Sequence, residues 1–565
     1  MAFSFTKYDV IRALMKGDTP SLLAALKWIG EAGEDPALAM GYVDGVGKFI
    51  HHTEPAVQAA ACVALGNMGM AAEGFVSAIA ALLTSPIPAV RAAAVTALGS
   101  LASFDPRNEG RVATIAEDDT DRGVKVAAIT ALGDMRADAE TELLQKLLKS
   151  EHDDIACAAV LALAKLGALA DEGSLLSGMI DKPRTRHAAL TALSSIGLTA
   201  PVMCLEKVVS AGLSDKDSLV RELAVKVIGC MPEAAAEDAT IAKIKGMLKS
   251  DDAGQRAAAA MALGAIGPDA ANESAALVPL LSDKGEDKAL AHLALSIGSG
   301  AKKASAAIRF PSAAALSALG SMKASGCLEQ MTDCLNDSNY EVRLCAVESI
   351  AALGTSAAAA ASKVTVLLTD VAYPVRAAAC SCLGAIGAED EVEEVVGALK
   401  DKSASVRLAA LLALIDLGEA AWAYSHDVFK LIKDDTLPCR QGSIRCLSLM
   451  GEIGGNYAGV AAMMLNDDSA EMRCEACESL GRMGVFGAAF AEDVGEKLSD
   501  RSPMVAEAAG RALMAMGNEG KKFLYMQGYL EPPSLEDTAS TKLPKVSFTK
   551  AYMSDLERER ARLGL

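Results

Sequence analysis

The sequence predicts an all-α fold in which pairs of helices stack into a solenoid, and three observations carry this prediction. A similar segment recurs about every 33 residues along most of the chain. Each copy places its apolar residues at the spacing of one helix face. Among the apolar residues, 51% of the total, alanine far outnumbers the aromatic residues, which make up only 4%. Small side chains let thin helical layers pack closely, which suits a stack of short helix pairs better than a few large domains.

The repeat is clearest where a valine and an arginine precede a run of small apolar residues. Examples are PAVRAAAVTALGSL from Pro88, YPVRAAACSCLGAIG from Tyr373 and ASVRLAALLALIDLG from Ala404. Alignment on the leucine or isoleucine seven residues after the basic position gives fifteen copies, with Gln58 first and Ala506 last at that position. We number each copy from the valine as position 0, so the arginine is position 1. Apolar residues then fall at positions 0, 4, 7 and 8, which predicts a helix, called here the second helix of the repeat.

A further apolar segment precedes each of these helices and completes the pair. One example is AAEGFVSAIAALLTS from Ala71, which has helical spacing and ends in a polar turn. Glycine recurs at position 9 of the second helix, where the missing side chain predicts close approach of a neighbouring backbone: Gly66, Gly99, Gly133, Gly264, Gly384 and Gly481. The later glycines suit a C-terminal cap: Gly69, Gly267, Gly387 and Gly484.

An acidic residue stands six residues before the basic position in many copies, in the turn that leads into the second helix. The pairs are Asp119 with Lys125, Asp215 with Arg221, Asp337 with Arg343, Asp370 with Arg376, Asp401 with Arg407, Asp434 with Arg440, and Asp467 with Arg473. Such a carboxylate can cap the helix and pair with an arginine of its own or the neighbouring repeat. We therefore predict a structural ladder along the solenoid rather than a ligand site.

The turn Asp followed by Val-Arg-x-x-Ala-x-x-Ala-Leu-Gly-x-Ile-Gly resembles the HEAT-repeat family, in particular the short, Ala-rich repeats of the phycobilisome-lyase type, within the armadillo-like helical superfamily. The resemblance covers roughly residues 50–520. It implies a right-handed α-α superhelix of about 15 helix pairs. It also implies a wide choice of functions, because HEAT-repeat proteins serve as scaffolds, transport receptors, regulatory subunits and occasional enzymes.

The repeat pattern predicts five segments. Residues 1–50 form an N-terminal helical cap, 51–297 an N-terminal arm of repeats, and 313–520 a C-terminal arm. Between the arms, residues 298–312 belong to a shortened copy with only 24 residues between Lys288 and Ser312, which is either a bend or an inert irregularity. After residue 520 the pattern ends, and 521–565 is expected to be an extended tail with a short terminal helix, which is either disordered or a docking segment.

The composition of the chain excludes several classes of ligand and function. The net charge of −19 disfavours nucleic acid as a ligand, because phosphate backbones are bound by lysine and arginine. No apolar run is long enough to span a membrane. The 13 cysteines are scattered, and the pair Cys474 and Cys477 lacks a second pair at zinc-binding spacing. We find no catalytic constellation among the six histidines and other reactive residues. The chain is thus expected to be a cytoplasmic protein, with nuclear or cytoskeletal association possible, and to be neither an enzyme nor dependent on a cofactor or metal.

The candidate binding surface lies on the second helices, which we expect to line the concave side of the solenoid. Positions 2 and 6 point away from the core and predict a long groove for an extended peptide or a helix. Its N-terminal half is small or apolar, whereas its C-terminal half mixes charged and apolar residues, and we predict partner binding there through Leu344, Glu348, Leu408, Leu412, Arg445, Glu478, Glu507 and Arg511.

The sequence therefore favours a non-catalytic scaffold that binds partner proteins, as part of a large cytoplasmic, cytoskeletal or ciliary assembly. Two alternatives remain open. The similarity to bilin-lyase repeats suggests a lyase or chaperone that presents a tetrapyrrole to an acceptor protein. HEAT solenoids also serve as transport receptors and phosphatase scaffolds, although no partner-specific motif matches here.

Overall fold

The fold is described by a computed structural model that covers residues 7–16, 18–31, 36–101, 107–287, 309–526 and 528. These residues form helices and turns, with no strand among them. They divide into an N-terminal unit, Met1–Asp269 with Asp287–Ala301, and a C-terminal unit, Ala270–Glu286 with Lys302–Leu565. The predicted copy at Lys288 and most of the irregular stretch 298–312 lie outside the described residues. So does the predicted tail beyond residue 528.

A second helix is present in each predicted copy that lies within the described residues. Each begins shortly after the acidic turn and ends near the glycine-containing segment. Their bounds are Pro55–Asn67, Pro88–Ser100, Arg122–Met135, Asp153–Leu166, Pro183–Ile196, Ser218–Gly229, Ala253–Ile266, Pro311–Ser321, Tyr340–Ala352, Tyr373–Ala385, Ala404–Asp416, Leu437–Ser448, Ala470–Arg482 and Pro503–Ala515.

The first helices are shorter and are flanked by 3-10 turns. The segment from Ala71, for example, is a 3-10 helix over Gly69–Phe75, an α-helix over Val76–Ala81 and a 3-10 turn over Leu82–Thr84. The other first helices and their extensions are Asn108–Asp118, Thr141–Leu148, Gly173–Asp181, Leu205–Lys207 with a π-helix over Val208–Gly212, Asp238–Met247, Leu328–Asp333, Ala361–Thr365, Val392–Gly397, Ser425–Lys430, Ala458–Met464 and Ala491–Glu496. Before the second helix Pro311–Ser321, the described residues contain two 3-10 helices, Gly267–Ala276 and Val278–Ser282, where other copies have a first α-helix.

The ends of the chain carry additional helices. Lys7–Lys16, Thr19–Glu31 and Pro36–Gly47 precede the first copy. The last helix is Asn518–Met526, so the helical part continues past the predicted boundary at residue 520. Short helices also follow three of the second helices, at Pro232–Ala235, Gly451–Gly455 and Gly484–Ala488.

Local sequence explains where the second helices start and which face they bury. Proline stands in the first turn of seven of them, as in Pro88–Ser100, where its missing N–H costs nothing. In others a side chain caps the helix; Asp121 accepts a hydrogen bond from the Val124 N–H over 3.0 Å. Val90 and Ala94, at positions 0 and 4, are fully buried, as the repeat pattern predicts.

Five of the six glycines at position 9 meet the next repeat at close range, as predicted; the copy that follows Gly264 lies outside the described residues. A Cβ on Gly384 would lie 2.9 Å from the Cα of Ala413, at position 7 of the following second helix. Gly66, Gly99, Gly133 and Gly481 face Ala97, Ala131, Ala162 and Ala512 in the same way. The later glycines Gly69, Gly267, Gly387 and Gly484 all have positive φ angles, so their predicted role at helix ends is confirmed.

A second glycine pattern in the C-terminal unit was not predicted. Gly454, Gly487 and Gly520 each follow a positive-φ glycine by three residues. A Cβ on Gly487 would overlap the carbonyl oxygen of Leu480 and lie 2.7 Å from its carbonyl carbon. The chain after these second helices therefore folds back directly onto helix backbone, which leaves no room for a side chain.

Replacing Gly487 by alanine is expected to destabilise the C-terminal unit by about 1–3 kcal/mol, because backbone atoms must move to admit the methyl group. Gly459 is the matched control, since a Cβ there would meet only the end of the Phe490 ring at 3.8 Å. Urea unfolding followed by circular dichroism should show a loss for Gly487→Ala and little change for Gly459→Ala. Equal midpoints for the two variants would contradict this packing.

Candidate protein-interaction surface

The predicted ladder has a regular geometry in which one arginine makes two kinds of contact. The Arg376 Nε and Nη2 donate to the two carboxylate oxygens of Asp401 over 2.7 and 2.9 Å. Its Nη1 donates to the backbone carbonyl of Asp370 over 2.9 Å. Asp401 in turn accepts from the backbone N–H of Ser403 over 2.7 Å, in the turn before its own second helix. The arginine therefore pairs with the carboxylate of the next repeat, whereas within its own repeat it donates only to the backbone carbonyls of Asp370 and Val371.

The same arginine–aspartate contact recurs along both units. In the N-terminal unit Arg91 pairs with Asp119 and Arg186 with Asp215; in the C-terminal unit Arg343 pairs with Asp370, Arg376 with Asp401, Arg407 with Asp434 and Arg473 with Asp500. These side chains are largely buried, and the pairs fix one repeat on the next. The side chains of these arginines and aspartates are thus already paired with each other within the fold.

Two members of the ladder depart from this rule. Arg221 pairs with the buried Asp287 rather than with an acid of the next copy, where Ser250 stands instead. Gly254 makes room for this pair, because a Cβ there would lie 2.6 Å from the Asp287 carboxylate. Arg440 donates to the carbonyl of Asp434 over 3.1 Å, but within the described residues it forms no ion pair with Asp467.

A buried network replaces the missing Arg440–Asp467 pair at the same interface. Glu475, which is 3% exposed, accepts from the guanidinium groups of both Arg445 and Arg482. Arg482 also donates to Ser448 over 2.9 Å and to Ser479 over 3.0 Å. Burial raises the pKa of Glu475, but the two arginines outweigh it and hold the pKa below its usual value. Arg445, predicted to be a binding residue, therefore fastens two repeats together.

Glu478, Glu507 and Arg511 extend this charge pairing to the next second helix. Arg511 donates to Glu478 and to Glu507, each over 2.8 Å, and more than half of its side-chain surface is exposed. The Glu478 carboxylate also lies 3.7 Å from Arg482. These three predicted binding residues do lie at the surface, but any partner there competes with ion pairs that already exist.

Two of the three leucines predicted for the groove require correction. Leu408 and Leu412 are 8% and 2% exposed and form one apolar cluster with Cys439 of the next second helix. A Cβ on Gly442 would lie only 3.1 Å from a Leu408 methyl group, so the two helices approach closely here. Positions 2 and 6 therefore belong to the interface between repeats at this point, and these leucines are not available to a partner. Leu344 is half-buried.

Glu348 is the predicted residue that best fits a binding surface. Its side chain is exposed on the second helix Tyr340–Ala352, and within the described residues its carboxylate has no hydrogen bond or ion pair. Nevertheless, desolvation by the surrounding protein raises the pKa of Glu348 above its usual value. The carboxylate is thus accessible to a partner.

The cysteines are buried or half-buried and none forms a disulfide. Burial raises the pKa of Cys382, Cys446 and Cys477 to about 12, so the reactive thiolate is scarce at neutral pH. Within the described residues, no group of three or more metal-ligating side chains comes together.

We expect the native chain at pH 7.5 to react slowly with N-ethylmaleimide, because most thiols are buried and protonated. The half-buried Cys157, Cys230 and Cys474 should be labelled before the fully buried Cys382 and Cys446. Intact-mass measurement against time checks this order, and the urea-unfolded chain, which should label at all 13 sites, is the control. Immediate labelling of Cys446 in the native chain would contradict the packing.

The geometry of helix pairs with an aspartate–arginine ladder agrees with a family comparison. A family model described as HEAT repeats matches residues 43–108, 111–194 and 361–448. The repeats in these three regions are HEAT repeats. No curated protein sequence matches the chain. Among the helices of the described ranges, none is both long and apolar enough to cross a membrane.

HEAT-repeat solenoids among the solved structures resemble the whole chain. The Kap95:Nup1 complex has a TM-score of 0.60 at 13% identity, covering 93% of this chain and 79% of that chain. Yeast importin-beta (Kap95p) has a TM-score of 0.57 at 13% identity, covering 91% and 78%. Kap95p bound to RanGDP gives 0.58 at 12% identity, covering 93% and 79%. At such low identity the likeness establishes the all-α superhelical fold alone.

Proposed function

We propose that this HEAT-repeat chain is a non-catalytic scaffold that binds other proteins along its second-helix surface, defined by the exposed residues at position 6 of the second helices. One observation carries the proposal. The residues that recur between copies, namely the arginines, aspartates and glycines, are used in fastening the repeats. The exposed residues at position 6 vary along the chain: Val63, Thr96, Thr130, Lys226, Ser317, Glu348 and Arg511. A binding protein built from repeats needs contacts between repeats that recur in every copy. It also needs an exposed surface that varies along the chain.

The charge and the thiols support the same proposal. A net charge of −19 disfavours nucleic acid and suits protein partners. The buried, protonated cysteines are poor nucleophiles, which fits a role without catalysis. A scaffold of this kind would operate in a cytoplasmic assembly, including one built on the cytoskeleton.

The experiment compares arginine substitutions on the two faces of the same repeats. Thr130 on a second helix and Thr114 on a first helix are matched, since both are exposed and both donate to a carbonyl four residues earlier over 2.9 Å. Thr96→Arg, Thr130→Arg and Ser317→Arg should reduce the partners recovered with full-length protein from native extract, as quantified by mass spectrometry. Thr114→Arg should not. Equal recovery with all four variants would place binding elsewhere.

A transport-receptor role is the second candidate, because the solved solenoids that resemble the whole chain include Kap95p in complex with Nup1 and with RanGDP. This role requires direct binding to Ran. Titration of the full chain with purified Ran carrying GDP or GTP tests this role. Binding would favour the transport-receptor role, whereas absence of binding would favour the scaffold role.

A further inference from the structure

Aromatic side chains form a regular row on the first-helix side of the C-terminal unit. Four half-buried aromatic residues recur at intervals of 33 residues, the length of one repeat, and we call them the aromatic row: Tyr424, Tyr457, Phe490 and Phe523. The second helices that alternate with them, Leu437–Ser448, Ala470–Arg482 and Pro503–Ala515, contain no aromatic residue. In a chain that is only 4% aromatic, these rings are therefore concentrated on one side of one unit.

The rings of the aromatic row rest on the preceding repeat and stay partly exposed. The ring centroid of Tyr457 lies 5.3 Å from that of Phe429, and the Tyr457 hydroxyl lies 3.5 Å from the Ser425 hydroxyl. Phe523 lies on Gly495, which stands at the position of Phe429 two repeats later; a Cβ on this glycine would be 3.2 Å from the Phe523 ring. The two rings are thus held by the same kind of contact, and each keeps part of its surface open to solvent.

The spacing of the row matches one type of extended segment. Adjacent packed helices lie about 8–10 Å apart, so successive rings recur at about that interval. A polyproline II helix has three residues per turn and rises about 3.1 Å per residue, so it presents the same side about every 9 Å. A β-strand presents the same side about every 6.7 Å and an α-helix about every 5.4 Å. A proline-rich segment that runs along the stack can therefore place one proline ring against each member of the row.

An acidic group ends the row on its N-terminal side. One repeat before Tyr424, the same position is Glu391. The helix that follows it, Val392–Gly397, packs against the 3-10 helix Gly418–Tyr424. Within the described residues the acids of this segment form no ion pair, and we call them the acidic end: Glu389, Asp390, Glu391, Glu393 and Glu394. A basic side chain beside the acidic end would gain counter-ions that are not already matched.

We propose that the aromatic row binds a proline-rich segment of a partner protein in the polyproline II conformation, and that a lysine or arginine of this segment pairs with the acidic end. Aromatic side chains suit such a segment because proline rings pack flat against them. The segment is also extended before it binds, so little conformational entropy is lost. This inference goes beyond the proposed function, because the row lies on the first-helix side and shares no residue with the second-helix surface.

The test measures binding of the full chain to a fluorescein-labelled probe of about twelve prolines with a lysine pair at one end. Fluorescence anisotropy gives the Kd for the wild type, for the double variant Tyr424→Leu with Phe490→Leu, and for Tyr373→Leu. Leucine keeps an apolar side chain but removes the flat ring. Tyr373 is the matched control, because it is an exposed tyrosine of the same unit that lies on the second helix Tyr373–Ala385. We expect the double variant to raise the Kd at least about fivefold, and Tyr373→Leu to raise it less than about twofold.

A second probe separates the conformation of the segment from its charge. With glycine in place of proline, the probe keeps its length and charge but becomes a flexible coil, so it should bind the wild type at least about tenfold more weakly. Equal Kd values for the two probes would overturn the inference. So would a wild type that does not bind the proline probe, or equal weakening by the double variant and by Tyr373→Leu.

The fluorescence of Trp422 locates the bound probe. The chain has two tryptophans, and Trp422 lies two residues before Tyr424, with its ring over Gly451 of the next repeat, where a Cβ would be 3.1 Å from the ring. In Trp28→Phe the emission comes from Trp422 alone, and it should shift to shorter wavelength when the unlabelled proline probe excludes water from the ring. An emission spectrum that is unchanged at saturation would place the probe elsewhere and overturn the inference.

The acidic end is tested by removing charge. Glu393→Gln with Glu394→Gln should raise the Kd of the proline probe at least about threefold at low salt, because two exposed carboxylates beside the row are lost. Glu329→Gln with Asp333→Asn is the matched control; it removes two exposed carboxylates from the first helix Leu328–Asp333 and should change the Kd less than about twofold. Equal weakening by both pairs would mean that the probe senses net charge alone, and the pairing with the acidic end would be wrong. None of these results alters the test of the second-helix surface, which uses other residues.

Discussion

Replacing Glu475 by alanine is expected to lower the free energy of unfolding of the C-terminal unit by about 3–5 kcal/mol, because it leaves two arginines without their buried counter-ion. Arg445 and Arg482 both donate to this carboxylate, which lies in the interface between the second helices Leu437–Ser448 and Ala470–Arg482. The interface also lacks the Arg440–Asp467 pair, so no other ladder contact compensates. Urea titration followed by circular dichroism measures this loss of stability. Because urea is uncharged, it does not screen the ion pairs.

Two controls separate the buried charge from a general sensitivity of the region. Glu478→Ala removes a carboxylate from the same helix, but one paired with the exposed Arg511, and should cost less than about 1 kcal/mol. The triple variant Arg445→Met, Glu475→Leu, Arg482→Met removes all three charges together and should be about as stable as the wild type. If Glu475→Ala lowers the free energy of unfolding no more than Glu478→Ala does, the buried contacts of Glu475 with Arg445 and Arg482 do not hold the two repeats together.

Periodicity made most of the fold predictable. The glycines at position 9 and the aspartate–arginine pairs recur in copy after copy, so their role follows from a shared position even before their contacts are known. The direction of the pairing was not predictable, since the sequence left each arginine the choice of its own repeat or its neighbour. That choice depends on the rotation between repeats, which places Asp401 opposite Arg376 at 2.7 Å.

The candidate site was predicted less well, for the same reason. Helical phase alone puts positions 2 and 6 on the surface, but the approach of the next second helix at Gly442 buries Leu408 and Leu412. Glu475 was missed although the alignment carried a signal. Position 3 holds Ala314, Cys345, Ala378, Ala409, Gly442 and Ala508 in the other C-terminal copies, and a glutamate among such small residues marks a buried charge that needs partners.

Replacing Asp370 by asparagine is expected to destabilise the C-terminal unit by about 3–5 kcal/mol, because Arg343 loses a counter-ion in a poorly hydrated site. Arg343 donates to the two oxygens of Asp370 over 2.7 and 2.9 Å, and the carboxylate is 6% exposed. Asp435→Asn is the matched control, since that carboxylate also contacts a ladder arginine, Arg407, but is 86% exposed. It should cost less than about 1 kcal/mol. Urea unfolding of both variants at pH 7 gives the comparison.

The pH dependence of stability provides an independent check on the ladder. Burial raises the pKa of Asp370, but hydrogen bonds from Arg343 and from the Ala372 N–H outweigh it and hold the pKa below its usual value of 3.8. The unfolded chain therefore binds protons at a higher pH than the folded chain, so stability is complete above about pH 4 and is lost as the pH falls through the lowered value. Because the asparagine side chain does not titrate, Asp370→Asn should show a smaller decrease between pH 4 and pH 2 than either the wild type or Asp435→Asn. Parallel curves for all three would mean that this ladder contact contributes no stability.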